Sequence, residues 1–306
     1  MEYSQLGNCG LRVSRLCLGT MSFGGTGGPT HPWAISEEDA QPIYKMAVEK
    51  GITFFDTANV YNHGICEEVL GRALKKYARR DEVVLATKVG LPMRPGPNGR
   101  GLSRKHIIES VDASLKRLQV DHIDLLYTHR LDVNTSDDEL LEALDHVVKA
   151  GKVIYPAGSS MGSWQFAKMR EKQKARGYVP FVAMQNLYNL AYREEEREMV
   201  PYLQSEGVAM LPWSPIARGF LAGNKPKDGE ATNRAKIDLS KGLFGSKQDY
   251  VVLERVQKIA SELGVSAAQV AYAWVLSKDV VVAPVVGATK IYQLEEAIAS
   301  LDVKLG

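Results

Sequence analysis

Short apolar runs recur along the chain, several closed by a polar residue and most followed by a stretch with helical spacing. The runs cover residues 16–20, 53–56, 83–88, 123–129, 153–157, 181–185, 208–213 and 280–286. Between them, apolar residues spaced three and four apart predict helices over 36–51, 63–78, 103–118, 136–150, 163–176, 193–205 and 293–301. Ser36, Ser103 and Ser136 stand at N-cap positions, Ser36 in a Ser-x-x-Asp box, and Gly151 stops the helix before the next run. The runs are apolar at successive positions rather than alternate ones, as strands buried on both faces are. Eight strands, each with a following helix, predict one α/β domain over residues 1–306, a (β/α)8 barrel of the TIM type. A doubly wound open sheet shares the alternation, but eight regular units favour closure. Residues 6–11 read as part of an N-terminal hairpin. Residues 219–246, rich in Gly, Lys and Asp, break the pattern as an inserted loop before an extra helix over 250–263.

Three consecutive strands end on charge or imidazole: Asp56, Lys88 and His129. Tyr61 follows Asp56 in the loop to the next helix. A barrel gathers its chemistry at the C-terminal rim of its strands, which is where these four fall. A tyrosine of ordinary pKa, about 10, is a weak acid at neutral pH, and a nearby ammonium favours its phenolate. Lys88 is placed to supply that charge, Asp56 to balance it, and His129 to orient a carbonyl oxygen. Such a set protonates an oxygen that becomes an alkoxide, so hydride must come from a cofactor. Each residue alone has an ordinary structural role (a packing aromatic, an ion pair, a buried histidine); three strand ends and one loop in succession do not.

Composition narrows the field. With 38 Lys+Arg against 36 Asp+Glu the net charge is +2, which gives no field for nucleic acid or an anionic membrane surface. Cys9, Cys17 and Cys66 are odd in number and lack metal-like spacing, which fits a reducing compartment. No apolar stretch reads as a signal peptide or a membrane span, so a cytoplasmic setting and a small-molecule partner are expected. Nothing in the pattern speaks to oligomeric state.

The segments Gly19-Thr20-Met21-Ser22-Phe23-Gly24, Phe55-Asp56-Thr57-Ala58-Asn59-Val60-Tyr61, Thr87-Lys88 and Asp124-Leu125-Leu126-Tyr127-Thr128-His129-Arg130 also resemble a known family. So do Gly151-Lys152-Val153, Gln185-Asn186, Pro212-Trp213-Ser214-Pro215-Ile216-Ala217-Arg218-Gly219 and Val286-Gly287-Ala288-Thr289-Lys290. In this order, over nearly the whole chain, they resemble the aldo-keto reductases. The resemblance implies a (β/α)8 barrel that reduces aldehydes or ketones with NADPH, with Asp56, Tyr61, Lys88 and His129 as the catalytic tetrad. It also implies a cofactor site. Thr20, Met21 and Asp56 would border it, Ser159, Ser160 and Gln185 would hold the carboxamide end, and Trp213 would stack on the nicotinamide. Ser214, Pro215, Ile216, Ala217, Arg218 and Gly219 would cradle pyrophosphate, and Gly287, Thr289, Gln293 and Glu296 would take the adenosine end. Arg218, Lys225, Lys227 and Arg234 concentrate positive charge near the insertion, and Arg234 in particular favours a 2′-phosphate. Ser160 stands where many relatives have Asn, and Gln293 where many have Arg. Relatives usually continue past the position of Gly306 with a helix and loop that wall the pocket, so an open pocket or a further tail is expected.

Other motifs fail. Gly158-Ser159-Ser160-Met161-Gly162 matches a nucleophile elbow, but all six histidines precede Ser160, where a hydrolase of that fold needs one after its serine. No G-x-G-x-x-G, P-loop or zinc-protease motif is present, and His63-x-x-Cys66 alone is no metal site. Glu194-Glu195-Glu196 reads as a solvated helix start. Trp33, Tyr61 and Trp213 are candidate walls of an apolar pocket. The competing function is a non-catalytic NADP-binding subunit, since some members of the family serve channels; an intact tetrad favours the enzyme.

Overall fold

Eight strands run parallel in one sheet, in the order β10-β3-β4-β5-β6-β7-β8-β9. They are β3 (Cys17–Gly19), β4 (Phe54–Asp56), β5 (Val84–Val89), β6 (Ile123–Thr128), β7 (Val153–Ser159), β8 (Ala183–Gln185), β9 (Ala209–Met210) and β10 (Val285–Gly287). This computed structural model describes residues 1–25, 31, 33–223 and 242–306. The sheet closes through its last strand. Val285 and Val286 pair with Cys17 and Leu18 on one side. On the other, Met210 N–H donates to Val280 O (3.0 Å), Val282 N–H to Met210 O (3.0 Å) and Val285 N–H to Pro212 O (2.8 Å). The eighth strand therefore touches both neighbours, and the fold is the (β/α)8 barrel expected. A two-stranded antiparallel hairpin, β1 (Tyr3–Gln5) with β2 (Arg12–Ser14), precedes it. Leu6 and Val13 of the hairpin are buried in the inner core with Phe54 and Val84.

Strand parity decides what faces where. Cys17, Phe54, Val84, Ala86, Leu125, Tyr127, Ala157, Ala183 and Ala209 fill the barrel interior, alanines alternating with large rings so that the layers fit. Their neighbours Leu18, Phe55, Leu85 and Leu126 pack outward against the helices. Both faces are buried, which is why the strands read as continuous apolar runs. Two residues beyond an inward residue is inward again. Asp56 follows Phe54, Lys88 follows Ala86, His129 follows Tyr127, Ser159 follows Ala157 and Gln185 follows Ala183. The barrel's own pleat thus aims these polar side chains at the axis, above the last apolar layer.

The helices are α1 (Glu37–Glu49), α2 (Ile65–Tyr77), α3 (Arg104–Leu118), α4 (Asp137–Lys149), α5 (Ser163–Ala175), α6 (Met199–Glu206), α7 (Lys247–Leu263), α8 (Ala267–Leu276) and α9 (Ile291–Ala299). Ser36, Ser103 and Ser136 cap α1, α3 and α4 as expected, accepting from the backbone N–H of Asp39, His106 and Glu139. Three points differ from the sequence reading. First, α6 begins at Met199 rather than Arg193. Pro201 has no N–H to give an earlier turn, but it is harmless within the first turn. Glu194–Glu196 instead forms a short 3-10 turn, with Glu196 held by Arg193 (2.9 and 2.7 Å) and Tyr188 (2.7 Å). Second, the last apolar run is split by Pro284, so residues 280–282 bond towards β9 while only Val285–Gly287 pairs regularly with β3. Third, α8 was not foreseen. Its sequence is apolar nearly all round, so it has little helical period. Its Ser266-x-x-Gln269 capping box was the available signal: Ser266 N–H donates to Gln269 (2.8 Å) and Gln269 N–H to Ser266 (3.2 Å).

Helix α2 crosses α3 closely at Gly71, where an added Cβ would stand 2.4 Å from Leu118 O. That contact is backbone, so it cannot swing away. Gly71→Ala should destabilise the fold by about 1–3 kcal/mol, read as a lowered Tm; an unchanged or raised Tm would show that α2 and α3 separate freely.

Candidate active site

A cavity of about 530 Å³ opens at the C-terminal rim of the barrel, within the size range of small-molecule and cofactor sites. Asp56 lines it and Lys88 stands behind Asp56, both almost wholly buried. Lys88 Nζ donates to Asp56 Oδ1, to Thr57 O (2.8 Å) and to the Tyr61 hydroxyl (3.3 Å). Gln185 Nε2 donates to the other oxygen of Asp56 (2.9 Å). Asp56 is thus held at both oxygens and Lys88 along three directions, the condition under which a buried ion pair is tolerable. The Tyr61 ring meets His129 edge to face at 5.8 Å, and His129 N–H extends the ladder to Val89 O (2.9 Å). The structure therefore brings Asp56, Tyr61, Lys88 and His129 together.

Burial opposes the Lys88 charge most strongly, but Asp56 and Tyr61 outweigh it and hold the ammonium above the usual lysine value. His129 lies well below its ordinary value because of burial, reinforced by Lys88, Arg130 and His31, so its ring is neutral at neutral pH. Its Nδ1 is buried with no hydrogen-bond partner among the described residues. Tyr61 reverses the expected sign. Enclosure by protein raises its pKa, and the lowering by Lys88 is the smaller effect. The phenol keeps a face open to the cavity, being only half-buried. Tyr61 is therefore a reliably protonated donor rather than a strong acid.

Beside the floor, Ser159 Oγ donates to Gln185 O (3.0 Å), and Trp213 Nε1 donates to Ser160 Oγ (3.1 Å). Ser160 has φ of 50°, a left-handed conformation in which Asn is favoured. Ser214 (54°), Ala217 (50°) and Arg218 (58°) are left-handed too, and Gly219 (90°) completes the turn. Three non-glycine residues so held within five positions concentrate strain of the kind found at ligand clamps. Asn189 Nδ2 fixes the bend by donating to Ser214 O (2.9 Å). Gln293 Oε1 accepts from Thr289 N (2.8 Å) and Lys290 N (3.2 Å) at the start of α9.

Of the residues assigned to a cofactor by resemblance, Thr20, Met21, Asp56, Ser159, Gln185 and Trp213 line the cavity. So do Ser214, Pro215, Ile216, Arg218, Gly219, Gly287, Gln293 and Glu296. Ser160, Ala217 and Thr289 do not line it, but they support residues that do, through the bonds above or the shared bend. Arg234, with Lys225 and Lys227, lies outside the described residues. A strained bend carrying Arg218, in one cavity with the polar side chains of Ser159, Gln185, Gln293 and Glu296, fits a dinucleotide. Among the described residues no group of three or more His, Cys, Asp or Glu is arranged to hold a metal.

The sequence missed His31, Leu91, Arg130 and Tyr272 as cavity walls. His31 packs edge-on against both Tyr61 (5.6 Å) and Trp33 (5.3 Å). Trp33, expected in the wall, stands behind it. A Gly/Pro-rich loop carries no periodicity that would have shown this, whereas Arg130, next to a rim histidine, was open to inference.

Residues 15–306 match the Aldo/keto reductase family. The chain is 41% identical to versiconal hemiacetal acetate reductase of Aspergillus parasiticus, with all of this chain and 94% of that protein aligned. It is 39% identical to an aldo-keto reductase of Fusarium vanettenii (all of this chain, 88% of that one). It is also 39% identical to an uncharacterized oxidoreductase of Bacillus subtilis (all of this chain, 92% of that one). With the barrel and the family match in agreement, the chain belongs to the aldo/keto reductase family of oxidoreductases.

Proposed function

We propose that the protein reduces an aldehyde or ketone to an alcohol with NADPH, with Tyr61 as the general acid. The observation that carries this reading is the buried Asp56–Lys88 pair bonded to the cavity-facing hydroxyl of Tyr61, whose ring meets a neutral His129. NADPH supplies the hydride when bound. Trp213, Ser159 and Gln185 would hold its nicotinamide end, the bend from Ser214 to Gly219 its pyrophosphate, and Gly287, Gln293 and Glu296 its adenosine. Tyr61 holds a proton at its hydroxyl and gives it to the carbonyl oxygen as that oxygen gains charge. Lys88, 3.3 Å away, stabilises the phenolate left behind. Asp56 keeps Lys88 in place, and the neutral His129 hydrogen-bonds and orients the carbonyl oxygen. Positive charge at Arg218 and in the insertion, including Arg234, supports NADPH over NADH. The same reading includes one barrel domain, a cytoplasmic setting and a small carbonyl compound as partner.

The test is cofactor oxidation by the purified protein with aromatic aldehydes, aliphatic aldehydes and diketones, NADPH and NADH in parallel. Turnover at higher kcat/KM with NADPH is expected. Tight NADPH binding without turnover on any carbonyl would favour a cofactor-binding subunit instead, and equal use of NADH would remove the 2′-phosphate preference.

A further inference from the structure

We propose that Arg130 selects the substrate: its guanidinium receives a carboxylate, so the site favours carbonyl compounds that carry a carboxylate on an aromatic or short apolar frame. The inference rests on the reductase reading and adds a substrate class to it.

Arg130 follows His129 at the end of β6 and lines the cavity beside Leu91, Tyr61 and Trp213. Among the described residues it forms no ion pair with a carboxylate. The absence has a structural cause. The acid nearest in sequence, Asp132, is occupied by its own loop: Oδ2 accepts from Leu102 N (2.8 Å) and Thr135 Oγ1 (2.7 Å), and Oδ1 from Asn134 N (3.0 Å). Among the described residues two carboxylates line the cavity. Asp56 is already bound by Lys88 and Gln185. Glu296 is carried by α9, after β10, and in the closed order of eight strands β10 is four places from β6 in either direction. Among the described residues no carboxylate thus answers Arg130, and burial pulls its basicity below the usual arginine value. A charged guanidinium in that position gains from an anion supplied by the ligand.

Its N–H groups make no hydrogen bond among the described residues. The guanidinium carbon is 5.7 Å from the centre of the Trp213 ring, and the indole is itself fixed by Ser160. A stacking contact uses the flat face of a guanidinium, whereas a carboxylate is bound bidentately in its plane by the N–H edge. The two contacts are compatible. Besides His129 and Arg218, the same cavity has Val60, Leu91, Tyr61 and Trp213 as apolar or aromatic walls, which set the frame that carries the carboxylate.

The competing role for Arg130 is to position Trp213 alone. A matched pair separates the two: 4-carboxybenzaldehyde and methyl 4-formylbenzoate differ in charge but not in the reacting aldehyde. Turnover with NADPH is measured for the wild type, Arg130→Met and Arg130→Lys. Calorimetric binding of both aldehydes to the protein in saturating NADP+ accompanies it, so that the cofactor's anion cradle is occupied. The wild type is expected to prefer the carboxylate, and Arg130→Met to lower the acid-to-ester ratio of kcat/KM by about tenfold or more, through KM, with Arg130→Lys partly restoring it. The calorimetric Kd ratio should move in the same direction. A ratio unmoved by Arg130→Met, with both compounds affected alike, would assign Arg130 to Trp213 and overturn the proposal. A wild type without acid preference in binding would overturn it too. If neither aldehyde turns over, the reductase reading fails, while the calorimetric ratio still decides Arg130.

Discussion

Replacing Tyr61 with phenylalanine lowers carbonyl reduction by about 10²–10⁴-fold, the contribution of a positioned general acid, and leaves NADPH affinity unchanged. The ring is retained, with its edge contacts to His31 and His129 at 5.6 and 5.8 Å. Only the hydroxyl 3.3 Å from Lys88 is lost, and Lys88 keeps Asp56 and Thr57 O as partners. Single-turnover kinetics report the loss, and fluorescence titration the cofactor. Undiminished turnover would remove Tyr61 from proton transfer. The wild-type pH profile follows from the direction of its shift. Because the pKa of Tyr61 is raised above the ordinary value, the donor is protonated throughout neutral pH. Reduction is then flat there and falls only as pH rises beyond the usual tyrosine value, about 10. Alcohol oxidation needs the phenolate, so it rises with pH over the same range. His129, whose pKa is depressed, adds no acid limb near the ordinary histidine value. A limb at that point would contradict a neutral imidazole.

The barrel and the floor of the site were legible because both are consequences of strand parity. Once residues 53–56, 83–88 and 123–129 read as strands buried on both faces, Asp56, Lys88 and His129 had to stand at their ends. What parity cannot carry is enclosure. The sequence placed an ammonium beside Tyr61 and predicted a lowered pKa, but the surrounding protein, assembled from several distant segments, outweighs that one charge. His31 was invisible for a related reason: its place against Tyr61 depends on the path of an irregular loop. Helix α8 was missed through uniformity, since a helix apolar on nearly every side has no period to detect. The bend at Ser214, Ala217 and Arg218 was recognised by resemblance, yet its left-handed backbone belongs to residues that give no glycine-like signal.

Lys88→Met should be the most damaging single change to stability in the site. The side chains are of similar length, so little cavity forms and the loss is electrostatic. Asp56 is left as a buried carboxylate with Gln185 Nε2 as its remaining side-chain donor among the described residues. Removing one partner of a buried pair costs about 3–5 kcal/mol, which lowers Tm on the order of 10 °C. Reduction is also abolished, because the phenolate of Tyr61 loses its cation. The double variant Asp56→Asn/Lys88→Met divides these effects. It contains no uncompensated charge, so its Tm should recover towards the wild type while its turnover does not. A single variant that melts with the wild type, or a double variant no more stable than the single, would refute the ion-pair account. The pH dependence has a fixed sign. The folded pKa of Lys88 is raised above its unfolded value, so its stabilisation is complete below about 10.4 and is lost as pH rises through the folded value. The Tm gap between the wild type and Lys88→Met is therefore constant through neutral pH and closes only in alkali. The alkaline fall in reduction can share that range, and in Tyr61→Phe the Tm still falls there although the general acid is gone, which separates loss of the proton donor from loss of the fold.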